Sequence, residues 1–136
     1  MSNAVMRALA QAVDTEAPRE ERARAAAAIV RDARSYRWVG IYDVGDEEIV
    51  AIGHSGATPP MHERFAVEHG LSGEAVRTRA TVVASTGSEA IVPILGAESA
   101  IVIGTLDVEN DRIDAFTGDD LAFLEECAAV LRPLYD

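Results

Sequence analysis

The chain has 136 residues, 49% of them hydrophobic and 26% charged, with 12 Lys and Arg against 23 Asp and Glu for a formal net charge of −11. That length suits a single domain over residues 1–136, able to bury roughly two thirds of its unfolded surface without help from a disulfide or a metal. The charge repels phosphate backbones, the aromatic residues are not interleaved with Lys or Arg, and no apolar run approaches the roughly 18 residues of a bilayer span, so neither nucleic acid nor membrane is expected as a partner.

The N-terminal sequence has no charged lead followed by an apolar stretch, and the single cysteine, Cys127, fits a reducing compartment, so the expected location is cytoplasmic. Val5, Met6, Leu9 and Val13 recur at helical spacing and predict a first helix over residues 4–13. A second is expected from Arg19 to Arg34, capped by Asp14 or Thr15, with Pro18 in its first turn and Ala26, Ile29, Val30 and Ala33 on its buried face. From Tyr36 the pattern changes. Residues 37–44 are dense in aromatic and β-branched side chains, Gly45-Asp46 turns the chain, and Glu47 to His54 returns, with Ile49, Ala51 and Gly53 predicted on one face and Val50 and Ile52 on the other.

Met61 to Glu68 reads equally as a short helix or an irregular strand. Gly70-Leu-Ser-Gly73 then opens a short helix for which Ser72 is a candidate cap, followed by a strand over residues 80–84. Two nearly continuous apolar runs, Glu89 to Leu95 and Ala100 to Glu109, are expected as central strands, with a bulge or an unpaired amide at Pro93. Thr117 caps a last helix over residues 118–134. Connections too short for crossovers make this an α+β fold: a central antiparallel sheet of five to six strands flanked by helices.

Several segments resemble one family, the GAF domains (a PAS/profilin-like fold): Trp38-Val-Gly-x-Tyr42, Gly70-Leu-Ser-Gly73, Ser88-Glu89-x-x-Val92-Pro93, Gly104-x-Leu106-Asp107-Val-Glu109 and Phe116-Thr-x-x-Asp120-Leu-x-x-Leu124. The first and third resemble more narrowly the free methionine-(R)-sulfoxide reductases. That resemblance implies a pocket between the sheet and a lid loop, with Trp38 and Tyr42 packing on a ligand and Glu89, Asp107 and Glu109, the last in place of the usual Asp, binding its amino group. The same subgroup carries its cysteines in and beside the long loop before the Ser-Glu motif. Here that loop is shortened to Ala84-Ser-Thr-Gly-Ser88 and holds no Cys. Sulfoxide reduction needs an attacking thiolate and a resolving thiol, so a non-catalytic role is expected. Cys127 follows Glu125 and Glu126, which raise its pKa, and is expected as a packing residue.

The residue types agree with a binding role. Trp38 and Tyr42, four apart on a strand, point to one face. Carboxylates gathered at a cavity favour a bound ammonium over an anion, and no basic residue in the matching strands offsets them; the alternative is that Glu89, Asp107 and Glu109 lie solvated at strand ends. His54, His62 and His69 lack metal-ligand spacing, and no cofactor is implied. Gly70 to Gly73 is expected as a structural turn. Apolar residues on two flanks of the last helix, Leu121, Leu124, Ala128 and Leu131 with Phe123, Cys127, Val130 and Leu134, imply near-complete burial or a helical homodimer. The functional expectation is a small-molecule sensor for a cationic or amino-acid-like ligand, bound in a pocket between the sheet and the Gly70 helix; the alternatives are an interaction module with a collapsed pocket and a divergent reductase.

Overall fold

The computed structural model describes residues 2–98 and 100–136. Its elements run α1 (Ser2–Val13), α2 (Arg19–Arg34), β1 (Trp38–Val44), β2 (Glu48–Ser55), β3 (Arg64–Ala66), α3 (Gly70–Thr78), β4 (Val82–Val83), β5 (Glu89–Leu95), β6 (Val102–Glu109) and α4 (Gly118–Val130), with a 3-10 turn at Arg132–Tyr135. The strands form one sheet in the order β3-β2-β1-β6-β5-β4, with every neighbouring pair antiparallel. The α+β architecture read from the sequence is therefore the architecture observed. Among the described residues no helix is long and apolar enough to cross a membrane.

The alternation of β1 sorts the molecule into two layers. Val39 and Ile41 face α1, α2 and α4, in a core with Leu9, Val30, Val92, Leu106, Leu124 and Leu131. At about 1.5–3 kcal/mol for each fully buried side chain of this kind, that layer supplies most of the driving force for folding. Trp38 and Tyr42 face the other way, into a smaller cluster with Ile49. A third cluster, Ala75, Val82 and Ile91, seats α3 on the same face.

Both flanks of α4 are covered by the chain's own core: Phe123, Leu124, Cys127 and Ala128 are buried, as are Leu131 and Leu134 in the turn that follows. Thr117 forms the expected cap. Its hydroxyl accepts from the Asp120 amide at 3.1 Å, and the Asp120 carboxylate accepts in return from the Thr117 amide at 3.0 Å. The helix ends at Val130 rather than at Leu134, because Pro133 cannot continue it and the chain tightens into the 3-10 turn.

Four local expectations are corrected. The second helix is preceded by Pro18 itself, with no side-chain cap from Asp14 or Thr15. Its buried face is Ala23, Ala26, Ala27 and Val30, and Ala33 is exposed. Gly53 does not share a face with Ile49 and Ala51. The β1–β2 register passes from Ile41↔Gly53 to Tyr42↔Ala51, so Ile52 is an extra residue that turns Gly53 toward α2. There a Cβ would come within 2.9 Å of the Arg24 amide nitrogen, which is how an alanine-rich helix lies so close on the sheet. Finally, Ser72 is a buried residue inside α3, whose N-cap position is His69 without a side-chain hydrogen bond. The ambiguous segment before α3 supplies the short edge strand β3. Pro93 lies beyond the end of β4, which stops opposite Ile91, so its missing amide costs no ladder bond there.

Candidate functional site

A cavity of about 790 Å³ opens on the sheet face opposite α1, α2 and α4, and Trp38, Tyr42, Glu89, Asp107 and Glu109 all line it. The register explains why. Across β6, Glu109 stands opposite Trp38, Asp107 opposite Gly40 and Thr105 opposite Tyr42, while on its other side β6 pairs Glu109 with Glu89 and Asp107 with Ile91. Same-face residues on three adjacent strands thus place an aromatic pair beside three carboxylates.

The aromatic wall is held by absent side chains. A Cβ at Gly40 would stand 2.3 Å from Cη2 of Trp38 and 3.0 Å from Cε1 of Tyr42, so the two rings meet over a bare backbone next to Asp107. A Cβ at Gly56 would stand 2.4 Å from the other end of the indole. Nε1 of Trp38 donates to the Thr58 carbonyl at 2.9 Å, and the His54 ring stacks on the indole at 5.9 Å. Tyr42 meets Phe65 edge-on at 6.0 Å, and its backbone carbonyl accepts from the Tyr135 hydroxyl at 2.6 Å through the sheet.

The carboxylates differ in state. Glu109 receives the Arg37 guanidinium at 2.5 Å, and Arg37 also reaches Asp111 at 3.2 Å. Arg37, one residue before β1, is thus the basic group that the sequence reading failed to set against the acidic cluster. Glu89 has no ion-pair partner among the described residues, and burial, followed by the charge of Glu109, holds its carboxyl above the ordinary range. Asp107 is the extreme case. It is 6% exposed, and its Oδ1 has no hydrogen-bond partner among the described residues. Burial pushes its pKa up to about 8, with the charges of Glu89 and Glu109 acting in the same direction and the Thr105 hydroxyl against them. The phenol of Tyr42 is raised too, by burial and then by Asp107.

The far wall comes from a part of the chain that offered no site residue to sequence reasoning. Met61, His62, Phe65, His69, Leu71 and Ser72 line it, Met61 being 91% exposed at the mouth. Phe65 stands out in the sequence only as an aromatic within a segment of mixed polarity, a weak signal. The loop before the Ser-Glu motif contributes only Ser88. It is fastened instead to residues 110–115: the Asp114 amide donates to Thr86 at 3.0 Å and the Ala115 amide to Gly87 at 2.9 Å. Gly87 adopts φ +74, and a Cβ there would meet Asp114 at 2.7 Å. Cys127 lies in the core on the other side of the sheet, fully buried, its pKa pushed up to about 12 by burial and then by Glu126. Among the described residues no group of three or more His, Cys, Asp or Glu is placed to hold a metal ion.

Chemically, the arrangement suits a small molecule with an apolar or π-facing body against Trp38 and Tyr42 and a positive group toward Glu89 and Asp107. No family model and no curated protein matches the sequence. Solved structures do match. The chain is similar to the free methionine-R-sulfoxide reductase of Neisseria meningitidis in complex with its substrate, at 24% identity over 98% of this chain and 87% of that one, with a TM-score of 0.81. It is similar to the GAF domain of an Acinetobacter phosphoenolpyruvate-protein phosphotransferase, at 18% identity over 98% and 91%, with a TM-score of 0.83. A protein designated a GAF sensor from Burkholderia vietnamiensis matches at 25% identity over 96% and 84%, with a TM-score of 0.80. Reductases and GAF domains that carry no such activity in their names share the one architecture, and the fold of this chain is the GAF fold.

Proposed function

We propose that this chain is a non-catalytic GAF-type module that binds a small cationic or amino-acid-like molecule in the cavity between the sheet and α3. The observation that carries this reading is Asp107: a carboxyl buried at the cavity floor, without a partner on Oδ1, beside an aromatic pair whose rings meet over Gly40. A buried carboxyl with Glu89 and Glu109 beside it favours a cation at the cavity over an anion, and an ammonium group there would pair with it. A cavity of about 790 Å³ favours binding over a module with a collapsed pocket. The similarity to a substrate-bound sulfoxide reductase is consistent with an amino-acid-like occupant.

A reductase reading is disfavoured by the position of the thiol. Cys127 is buried behind the sheet, so it cannot present a thiolate to the cavity. Binding is tested by titrating the protein with primary amines, amino acids and nucleotides while following the fluorescence of Trp38, the single tryptophan of the chain, and the melting temperature. Amines or amino acids are expected to shift both and nucleotides neither. A flat response to every compound would overturn the proposal, and turnover of free methionine sulfoxide with dithiothreitol would overturn its non-catalytic part.

A further inference from the structure

Three carboxylates line the cavity against one guanidinium. Arg37 is already committed to Glu109 and Asp111 and reaches Glu89 only through its charge, which leaves Glu89 and Asp107 facing the space with no ion-pair contact of their own among the described residues. The two differ in depth: Glu89 is half-buried at the side, whereas Asp107 lies at the floor with one oxygen unpartnered. Ionising that carboxyl in the empty cavity would set a third negative charge beside Glu89 and Glu109 with little water to screen it.

Resting on the binding reading above, we infer that the empty cavity holds Asp107 as the neutral acid, and that a ligand's cationic group takes the place of its proton. Binding is then an exchange. The Asp107 O–H bond breaks, the proton passes to solvent, and the carboxylate left behind pairs with the incoming ammonium; no electrons move and no bond to the ligand is made. Total charge in the cavity is unchanged, so the protein avoids both a buried unpaired anion before binding and a buried unpaired cation after it.

The groups facing Asp107 favour this. From β6, Glu109 and the Thr105 hydroxyl flank it; from β5, Glu89 approaches; from β1, the Tyr42 phenol does. Across the cavity, His62 and His69 stand on the far wall and Arg37 at the edge. Behind the sheet the Tyr135 phenol is held beside Arg19 and Asp43. The nearest charges to the Asp107 carboxyl are therefore negative, and the direction of its titration agrees: it is raised, to about 8. One consequence is selectivity by charge state. Such a site takes up a protonated amine more readily as pH rises toward 8, and it rejects the uncharged isostere that cannot replace the proton.

The test uses the full chain and ethylammonium chloride as probe. Carboxyl carbon-13 resonances are titrated in the empty protein, with Asp107 assigned by Asp107→Asn or, should that variant not fold, by through-bond correlation in the native protein. Asp107 is expected to titrate well above the other aspartates. Ethylammonium should lower that titration and alter Trp38 fluorescence, and its apparent affinity should fall about tenfold for each pH unit below about 8. Asp107 titrating among the other aspartates overturns the inference. Fluorescence that reports binding while the Asp107 titration stays unmoved overturns the exchange and leaves the binding reading intact. A titration that is high and unmoved, with no fluorescence change, overturns the binding reading and with it the exchange.

Discussion

Replacing a buried, unpaired acid by its amide should change not the level of stability alone but its slope with pH. Asp107 titrates near 3.8 when the chain is unfolded and near 8 when it is folded, so between about pH 5 and pH 7 the folded protein carries one proton more than the unfolded chain. A raised carboxyl contributes stability that is present at low pH and is lost as pH rises through the folded value. The native protein therefore weakens by about 1.4 kcal/mol for each pH unit across this window, or about 2.7 kcal/mol from pH 5 to pH 7. Asp107→Asn removes that dependence. Glu89, also raised, acts in the same direction in both proteins, and Asp120, lowered by its bonds to Thr117 and Arg34 against an opposing burial, loses its contribution only at more acidic pH in both. The difference between the two proteins isolates Asp107. Urea unfolding at a series of pH values, followed by far-ultraviolet circular dichroism, should show the stability of the variant gaining on that of the native protein by about 2–3 kcal/mol over the window. Parallel curves would refute the reasoning.

Two further substitutions probe the cavity. Gly40→Ala sets a methyl group where Cη2 of Trp38 lies 2.3 Å away, so the indole must swing off Gly40; the variant should lose about 1–3 kcal/mol in urea unfolding, and its tryptophan emission should move to the red. Arg37→Gln removes the cation paired with Glu109 from a site where Arg37 is 52% exposed, so stability should change by less than about 1 kcal/mol while ethylammonium affinity rises about three- to tenfold by fluorescence titration.

The parts of the fold legible in the sequence are those whose signals are local. The range of β5 follows from a continuous apolar run, and the start of α4 from the Thr117 and Asp120 capping pair. The range of α2 follows from Pro18 and its Ala-Arg-Glu composition, although no side chain caps it. The misplaced face of Gly53 has a tertiary cause: nothing in Ile52-Gly53 marks a bulge until α2 is packed against it. The acidic and aromatic side of the cavity came from motif resemblance and strand alternation together. Of its far wall only the α3 end, at Leu71 and Ser72, lay in a motif segment; the rest was not legible, because Met61 to His69 mixes polar and apolar residues with no single period, and only the pairing of β3 with β2 brings Phe65 to the site. Arg37 escaped notice because its importance lies in a cross-strand partner 72 positions away.

The hydrogen bond from Tyr135 to the Tyr42 carbonyl spans 93 positions of sequence, and the tyrosine ring lies where a Cβ on Gly104 would otherwise point. Seen along the time axis of synthesis, the aromatic wall belongs to a central strand that cannot be pinned until that distant residue has left the ribosome. The sheet can begin with the β1–β2 hairpin, but β6 and the turn after α4 must arrive before Tyr42 is fixed from behind.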